Sequence, residues 1–210
     1  MTLDPAATEA ASRDPTPRPI LPETRPFLPA PRDSEVARRL CCVISDVDGV
    51  MTDGRIIHDS AGVETKAFHV HDGLAIRRWI KAGFGFCVIT ARGGPAVENR
   101  MRELGVSDVY SFCSDKLTTA QQWLAKNGYD FDQAIYLGDD IADLRAMLRC
   151  GLAIAPADAT TDVRRLAHRI SRAAGGRGVL REVIEWAMQS KGCWELPPGI
   201  PNDPPPGPEL

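Results

Sequence analysis

Apolar positions between residues 35 and 192 fall into short uninterrupted runs, separated by longer stretches in which they recur every three or four residues. The short runs are too uniformly apolar for half-exposed strands, so they predict a buried parallel sheet, and the periodic stretches predict the helices that cover it. Expected strands are Leu40 to Ser45, Gly85 to Thr90, Asp108 to Phe112, Ala134 to Leu137, Gly151 to Ala155 and His168 to Ser171. Helical spacing appears at Ile76, Trp79 and Ile80, at Leu117, Ala120 and Leu124, at Ile141, Leu144 and Leu148, and from Val179 to Ala187. One stretch departs from this alternation. Arg55 to His58 and Thr65 to Val70 are β-rich and flank Asp59-Ser60-Ala61-Gly62, which predicts a β-hairpin just after the first strand. No insertion is long enough to form a separate cap domain.

Proline divides the chain further, since 8 of its 17 prolines lie in the first 32 residues and 7 lie from Pro197 onward. That distribution predicts proline-rich disordered tails at 1–34 and 193–210 around one domain at 35–192. A net charge of −3, with no Lys/Arg block longer than a pair, argues against nucleic acid as a partner. No segment has membrane-spanning length, and no uninterrupted apolar run near Asp4 and Glu9 could serve as a signal core, so a cytoplasmic protein without a membrane partner is expected. The six cysteines include no CxxC pair and sit mostly in apolar runs, where reduced thiols pack as small hydrophobes.

The candidate chemistry lies at the ends of the expected strands. Asp46-Val47-Asp48-Gly49-Val50-Met51-Thr52-Asp53-Gly54 follows the first strand. Read as extended chain, Asp46 and Asp48 project to the same side, and Gly49 lets the backbone turn away. Gly138-Asp139-Asp140-Ile141-Ala142-Asp143 follows a later strand. If the two strands are parallel neighbours, Asp46, Asp48 and Asp139 converge. Carboxylates about 4 Å apart repel by roughly 4 kcal/mol per pair at an effective dielectric near 20, so a neutralising cation is expected. An all-oxygen donor set favours a hard one, Mg²⁺. Asp139 or Asp140 also stands where the N-cap of the helix from Ile141 would be. Thr90-Ala91-Arg92 and Lys116, each just past an expected strand, supply the hydroxyl and cations that a phosphoryl group needs.

These residues in this order, DxDG, then Thr, then Lys, then GDDxxD, resemble the haloacid dehalogenase superfamily over roughly residues 40–188. DVDGVMTDG, KAFHVHDG at 66–73, ITAR at 89–92 and AGGRG at 174–178 resemble its capless sugar-acid phosphatases more closely. The resemblance implies a Rossmann-like α/β fold, a mostly parallel sheet between helices with a hairpin flap, and a role in lipopolysaccharide sugar biosynthesis. It implies that Asp46 is the nucleophile, that Asp48 is the acid and base, and that Thr90 and Lys116 bind the phosphoryl group. Mg²⁺ would be held by Asp46, the Asp48 carbonyl and Asp139, with Asp140 and Asp143 behind them. Thr52, Arg92, His71 and Arg177 would meet the substrate, a small sugar-acid phosphate, in a homotetramer whose neighbouring chains close each other's sites. His71 stands where related enzymes carry an arginine.

Three other readings are open. A phosphatase of another sugar acid, such as an acylneuraminate 9-phosphate, would share every motif. A non-catalytic oligomerisation module of a nucleotide-sugar synthetase would have no use for converging carboxylates. A phosphomutase of this superfamily usually carries a cap, for which this chain has no room.

Overall fold

The computed structural model describes residues 35–196. A short helix, α1 (Glu35–Arg39), leads into β1 (Cys42–Ser45), the hairpin strands β2 (Ile57–His58) and β3 (Glu64–Thr65), and α2 (Val70–Lys81). Then follow β4 (Gly85–Ile89), α3 (Pro95–Leu104), β5 (Asp108–Tyr110), α4 (Lys116–Asn127) and β6 (Ala134–Leu137). The chain closes with α5 (Ile141–Met147), β7 (Leu152–Ala155), α6 (Thr161–Leu166), β8 (Arg169–Ile170) and α7 (Val179–Ser190). Six strands form one sheet in the order β5-β4-β1-β6-β7-β8, with every pairing parallel.

Both faces of that sheet are covered, which is why its strands read as unbroken apolar runs. Val43, Val88, Ile135, Leu137 and Ile154 point into one core with Ile76, Trp79, Met101 and Ile184. Their neighbours Ile44, Cys87, Ile89, Tyr136 and Ala153 point into the other with Trp123, Leu124, Met147 and Val163. The alternation places a helical layer on each side, and Cys42, Cys87 and Cys150 are buried as small apolar groups. Among the described residues no helix is long and apolar enough to cross a membrane.

Three expectations need correction. The second hairpin arm ends at Thr65, and Val70 to Asp72 belong to α2 instead. Asp72 explains why: its carboxylate is buried and accepts a hydrogen bond of 2.6 Å from the backbone N–H of Arg181, which pins the first turn of α2 to α7. Second, residues 47–52 are not extended, because the N–H groups of Val50, Met51 and Thr52 all turn back to the Val47 carbonyl. Third, ordered packing passes residue 192. Trp194 lies against the first core with the guanidinium groups of Arg78 and Arg181 each 4.7 Å from its ring, and Arg78 also donates to the Glu195 carbonyl. The rest of the expected tails, 1–34 and 197–210, lies outside the described residues.

Candidate active site

The strand register brings the site together. Ser45 of β1 pairs with Val88 of β4 on one side and with Leu137 of β6 on the other. Asp46, Thr90 and Asp139 therefore leave three adjacent strands within one residue of the same level, at the carboxyl edge where the strand order turns back on itself. The Asp46 N–H donates to the Leu137 carbonyl (3.0 Å) and the Thr90 N–H to the Tyr110 carbonyl (3.0 Å), so both backbones are fixed by sheet hydrogen bonds. Thr90 is 2% exposed, and its hydroxyl oxygen accepts from the Arg92 N–H.

Lys116 starts α4 and reaches under this edge. Asp115 provides the N-cap, its side chain accepting from the Thr118 N–H, which sets where the helix begins. The Lys116 ammonium lies 2.9 Å from Asp46 Oδ2 and 2.8 Å from Asp143 Oδ1 and is almost entirely buried. Burial alone would lower its pKa, but the two carboxylates outweigh that and leave it raised, so the lysine stays charged. Asp143 is fully buried and saturated: it also accepts from the Tyr136 hydroxyl and from the N–H groups of Asp139 and Asp140. Asp140 caps α5 in return, accepting from the Ile141 N–H at 2.7 Å, so the pair forms a capping box.

The carboxylates that meet are Asp46, Asp139 and Asp143, with oxygens within 4.8 Å of one another; Asp143 stands where Asp48 was expected. The turn at residues 47–52 is the reason, because it sends the Asp48 side chain toward the hairpin. Burial first, then Asp143, raises the Asp46 pKa to about 6 against the pull of Lys116. Burial first, then Asp46 and Asp143, raises Asp139 to about 7. Asp46 Oδ1 is buried and accepts no hydrogen bond. A buried acceptor of that kind beside a second strained carboxylate suits a hard divalent cation bound by oxygen. The room is tightly defined: Gly49 has φ +84°, and a Cβ there would come within 2.1 Å of Asp139 Oδ2.

Asp48 is instead held from β3. The Lys66 ammonium, whose side chain is 2% exposed, bonds Asp48 Oδ1 at 2.5 Å and lies 2.7 Å from Glu64 Oε1. Arg92 donates to Glu64 Oε2 at 2.9 Å, with its Nε 3.8 Å from Asp48 Oδ2. Lys66 and Glu64 were missed as site residues from sequence. Lys66 opens the KAFHVHDG stretch, but nothing there or around Glu64 shows that either meets Asp48, because the hairpin must fold back over the end of β1 first. Thr52, expected to meet substrate, is 3% exposed and turned inward, its hydroxyl donating to the Val47 carbonyl and lying 3.5 Å from Asp48 Oδ1.

The glycine-rich loop at 174–178 packs directly on the loop after β1. The Gly176 N–H donates to the Val50 carbonyl, and a Cβ on Gly175 would sit 2.1 Å from the Gly49 carbonyl oxygen. Arg177, next in this loop, is exposed. His71 is exposed on the first turn of α2, its ring 5.0 Å from that of His69, which lies beside Gly178. His69 thus links the first turn of α2, which carries His71, to Gly178, the residue after Arg177.

No family model matches the chain. Individual relatives do. A protein from Yersinia pestis named 3-deoxy-D-manno-octulosonate 8-phosphate phosphatase is 40% identical over 164 residues, 78% of this chain and 88% of that one. The structure of a Moraxella catarrhalis protein of the same name, in complex with magnesium, phosphate and KDO, aligns with a TM-score of 0.72 at 35% identity, covering 74% of this chain and 89% of that one. A Legionella pneumophila structure described as a putative haloacid dehalogenase superfamily hydrolase, subfamily III A, aligns at 0.74 with 34% identity over 75% of this chain and 87% of its own. The sequence resemblance to capless sugar-acid phosphatases is strongest at this same enzyme. With the carboxylates, the buried lysine and the hairpin in their expected order and most of each relative's length covered, the chain belongs to the 3-deoxy-D-manno-octulosonate 8-phosphate phosphatases of the haloacid dehalogenase superfamily.

Proposed function

We propose that the chain hydrolyses 3-deoxy-D-manno-octulosonate 8-phosphate with Asp46 as nucleophile. The observation that carries this reading is the position of Asp46: Lys116 grips one carboxylate oxygen while the other is buried and free of hydrogen bonds. The anchored oxygen fixes the group, and the other is left without a hydrogen bond. Asp46 attacks phosphorus and becomes an aspartyl-phosphate, and Asp48 gives a proton to the departing sugar oxygen. Asp48 then takes a proton from the water that hydrolyses the aspartyl-phosphate, which restores both residues. Thr90 and Lys116 hold phosphoryl oxygens, and Asp140 and Asp143 position Lys116 and the loop that carries Asp139.

Asp46, Asp139 and the Asp48 backbone carbonyl would hold Mg²⁺, which offsets the negative charge that the nucleophile and the phosphate bring together. Thr52 steadies Asp48 from inside its loop. Arg92, His71 and Arg177 read the sugar acid, and Arg177 is suited to grip its carboxylate with a planar fork. A homotetramer is supported by Ile56, Ile57 and Val63 on the hairpin and by Val70 and Leu74 on α2, all exposed apolar side chains beside the site. The six free cysteines fit the reducing cytoplasm.

The test is phosphate release from a set of sugar-acid phosphates at fixed Mg²⁺. The octulosonate 8-phosphate is expected to exceed an acylneuraminate 9-phosphate in kcat/KM by about 10-fold or more. A preference for the nine-carbon acid would reassign the substrate, and no turnover of either would overturn the reading.

A pH effect follows from the two strained carboxyls. Asp46 at about 6 and Asp139 at about 7 lie above their ordinary 3.8, so between about pH 4 and pH 7 the folded chain holds more protons than the unfolded chain. Metal-free stability from these groups therefore falls as pH rises through that window. Mg²⁺ competes with the same protons, so it is expected to raise Tm by several degrees near pH 8 and far less near pH 5.5. Thermal melts at the two pH values check this, and equal shifts would remove the two carboxylates from the metal site.

A further inference from the structure

Beyond the residues to which the resemblance assigns a role, the hairpin brings a charged side chain up to Asp48. Lys66 directly follows β3, yet its side chain is only 2% exposed. A buried ammonium is tolerated only where it is paired, and its partners here are Asp48 and Glu64. Burial by itself would lower the Lys66 pKa, but Asp48 and Glu64 more than compensate, so it remains charged.

The two oxygens of Asp48 are treated differently. Oδ1 accepts the Lys66 hydrogen bond, with the Thr52 hydroxyl 3.5 Å away. Oδ2 is buried and accepts none, with Arg92 Nε 3.8 Å away. A carboxyl group free to rotate would present either oxygen in any direction. With Oδ1 held, only Oδ2 is available to carry a proton to a leaving group, and its direction is set by Lys66.

We infer that Lys66 is a positioning residue for proton transfer: it holds Asp48 Oδ1 so that Oδ2 faces the sugar oxygen as the phosphorus–oxygen bond breaks. This rests on Asp48 being the acid. In the step, the Asp48 carboxyl proton moves to the departing alkoxide, the bonding electron pair goes with that oxygen, and the carboxylate left behind lies against the Lys66 ammonium. Lys66 keeps its own protons throughout. The preorganised charge favours the carboxylate that forms during the transfer, which is where such a group contributes most. The hairpin is then a part of the catalytic apparatus as well as a flap, and Glu64 and Arg92 serve to keep Lys66 in line.

The experiment compares leaving groups in single turnover. An alkyl phosphate such as the sugar substrate needs a proton on its leaving oxygen, whereas p-nitrophenyl phosphate releases a stable anion without one. Lys66→Met is expected to slow alcohol release from the sugar phosphate by about 100-fold or more, and p-nitrophenolate release by less than about 10-fold, with little change in KM. Should Lys66→Met fail to fold, the same ratio is read on Lys66→Gln, which keeps an amide donor in place. Equal slowing of both esters, or of neither, overturns the inference. Asp48→Asn run alongside separates the two levels of the argument. If Asp48→Asn shows the leaving-group contrast and the Lys66 variants do not, only the role of Lys66 is lost. If Asp48→Asn shows none, the acid assignment is lost with it.

Discussion

Asp46→Asn is expected to lower kcat by about four orders of magnitude, roughly 5.5 kcal/mol of barrier, while the protein remains folded. The amide has nearly the same shape but no nucleophilic oxygen. The fold should tolerate it, because in the metal-free chain burial and Asp143 already oppose the Asp46 charge. What is lost locally is one of two carboxylate partners of Lys116, and Asp143 remains at 2.8 Å. Steady-state phosphate release gives the loss, and denatured, acid-quenched protein should carry labelled phosphate in wild type but not in the variant. Activity above about a tenth of wild type would exclude an aspartyl-phosphate on this residue.

Lys116→Met is expected to act on stability as well as on turnover. The methionine fills the space but leaves Asp46 and Asp143 facing each other without the cation between them, both largely or wholly buried. Breaking a buried pair in this way costs about 3–5 kcal/mol. Proton uptake by Asp46, whose pKa is already about 6, relieves part of this, so a loss near 3 kcal/mol is expected, a Tm drop of roughly 6–12 °C. The sign with pH is fixed: the drop should be smaller near pH 5, where Asp46 is protonated, than near pH 8. Differential scanning calorimetry at both pH values decides it. A drop under about 3 °C at pH 8 would mean that the ammonium is not compensating these charges.

What the sequence could reveal about this site depended on whether a residue's role follows from its own strand. Asp46, Thr90 and Asp139 were legible because each directly follows a buried apolar run, and parallel register then brings them level. The helices that became α4 and α5 were legible from apolar periodicity, and the start of α5 at Ile141 also from its Asp cap. Asp143 was read as a supporting residue, and its place among the converging carboxylates appears only when α5 is docked. Asp48 was misdirected by an assumption of extended chain, which the hydrogen bonds to the Val47 carbonyl contradict. That Lys66 and Glu64 lie at Asp48 was not legible for a different reason. Two-residue strands with exposed backbones carry no burial pattern, so only the folded hairpin shows which of their side chains is enclosed. α3 was also unread, although Pro95 at its first turn and Gly105 in a left-handed conformation just past its end are ordinary boundary signals.

The contact between Gly175–Gly176 and the loop after β1 has a consequence for how the protein comes into being. Asp46 lies near the start of the described chain, and the backbone that braces its loop lies just before the last helix. During synthesis, Asp46 leaves the ribosome long before Gly176 does, and β6, which flanks β1, follows long after it as well. Pairings that span so much of the chain form late, after the entropy of closing the intervening segment has been overcome. A nascent or truncated chain ending before residue 175 could pair most of the sheet and still leave Gly49 to Asp53 unbraced. On this topology the loop that follows Asp46 gains its last backbone brace only once residues 175–176 are in place, so its geometry is completed late.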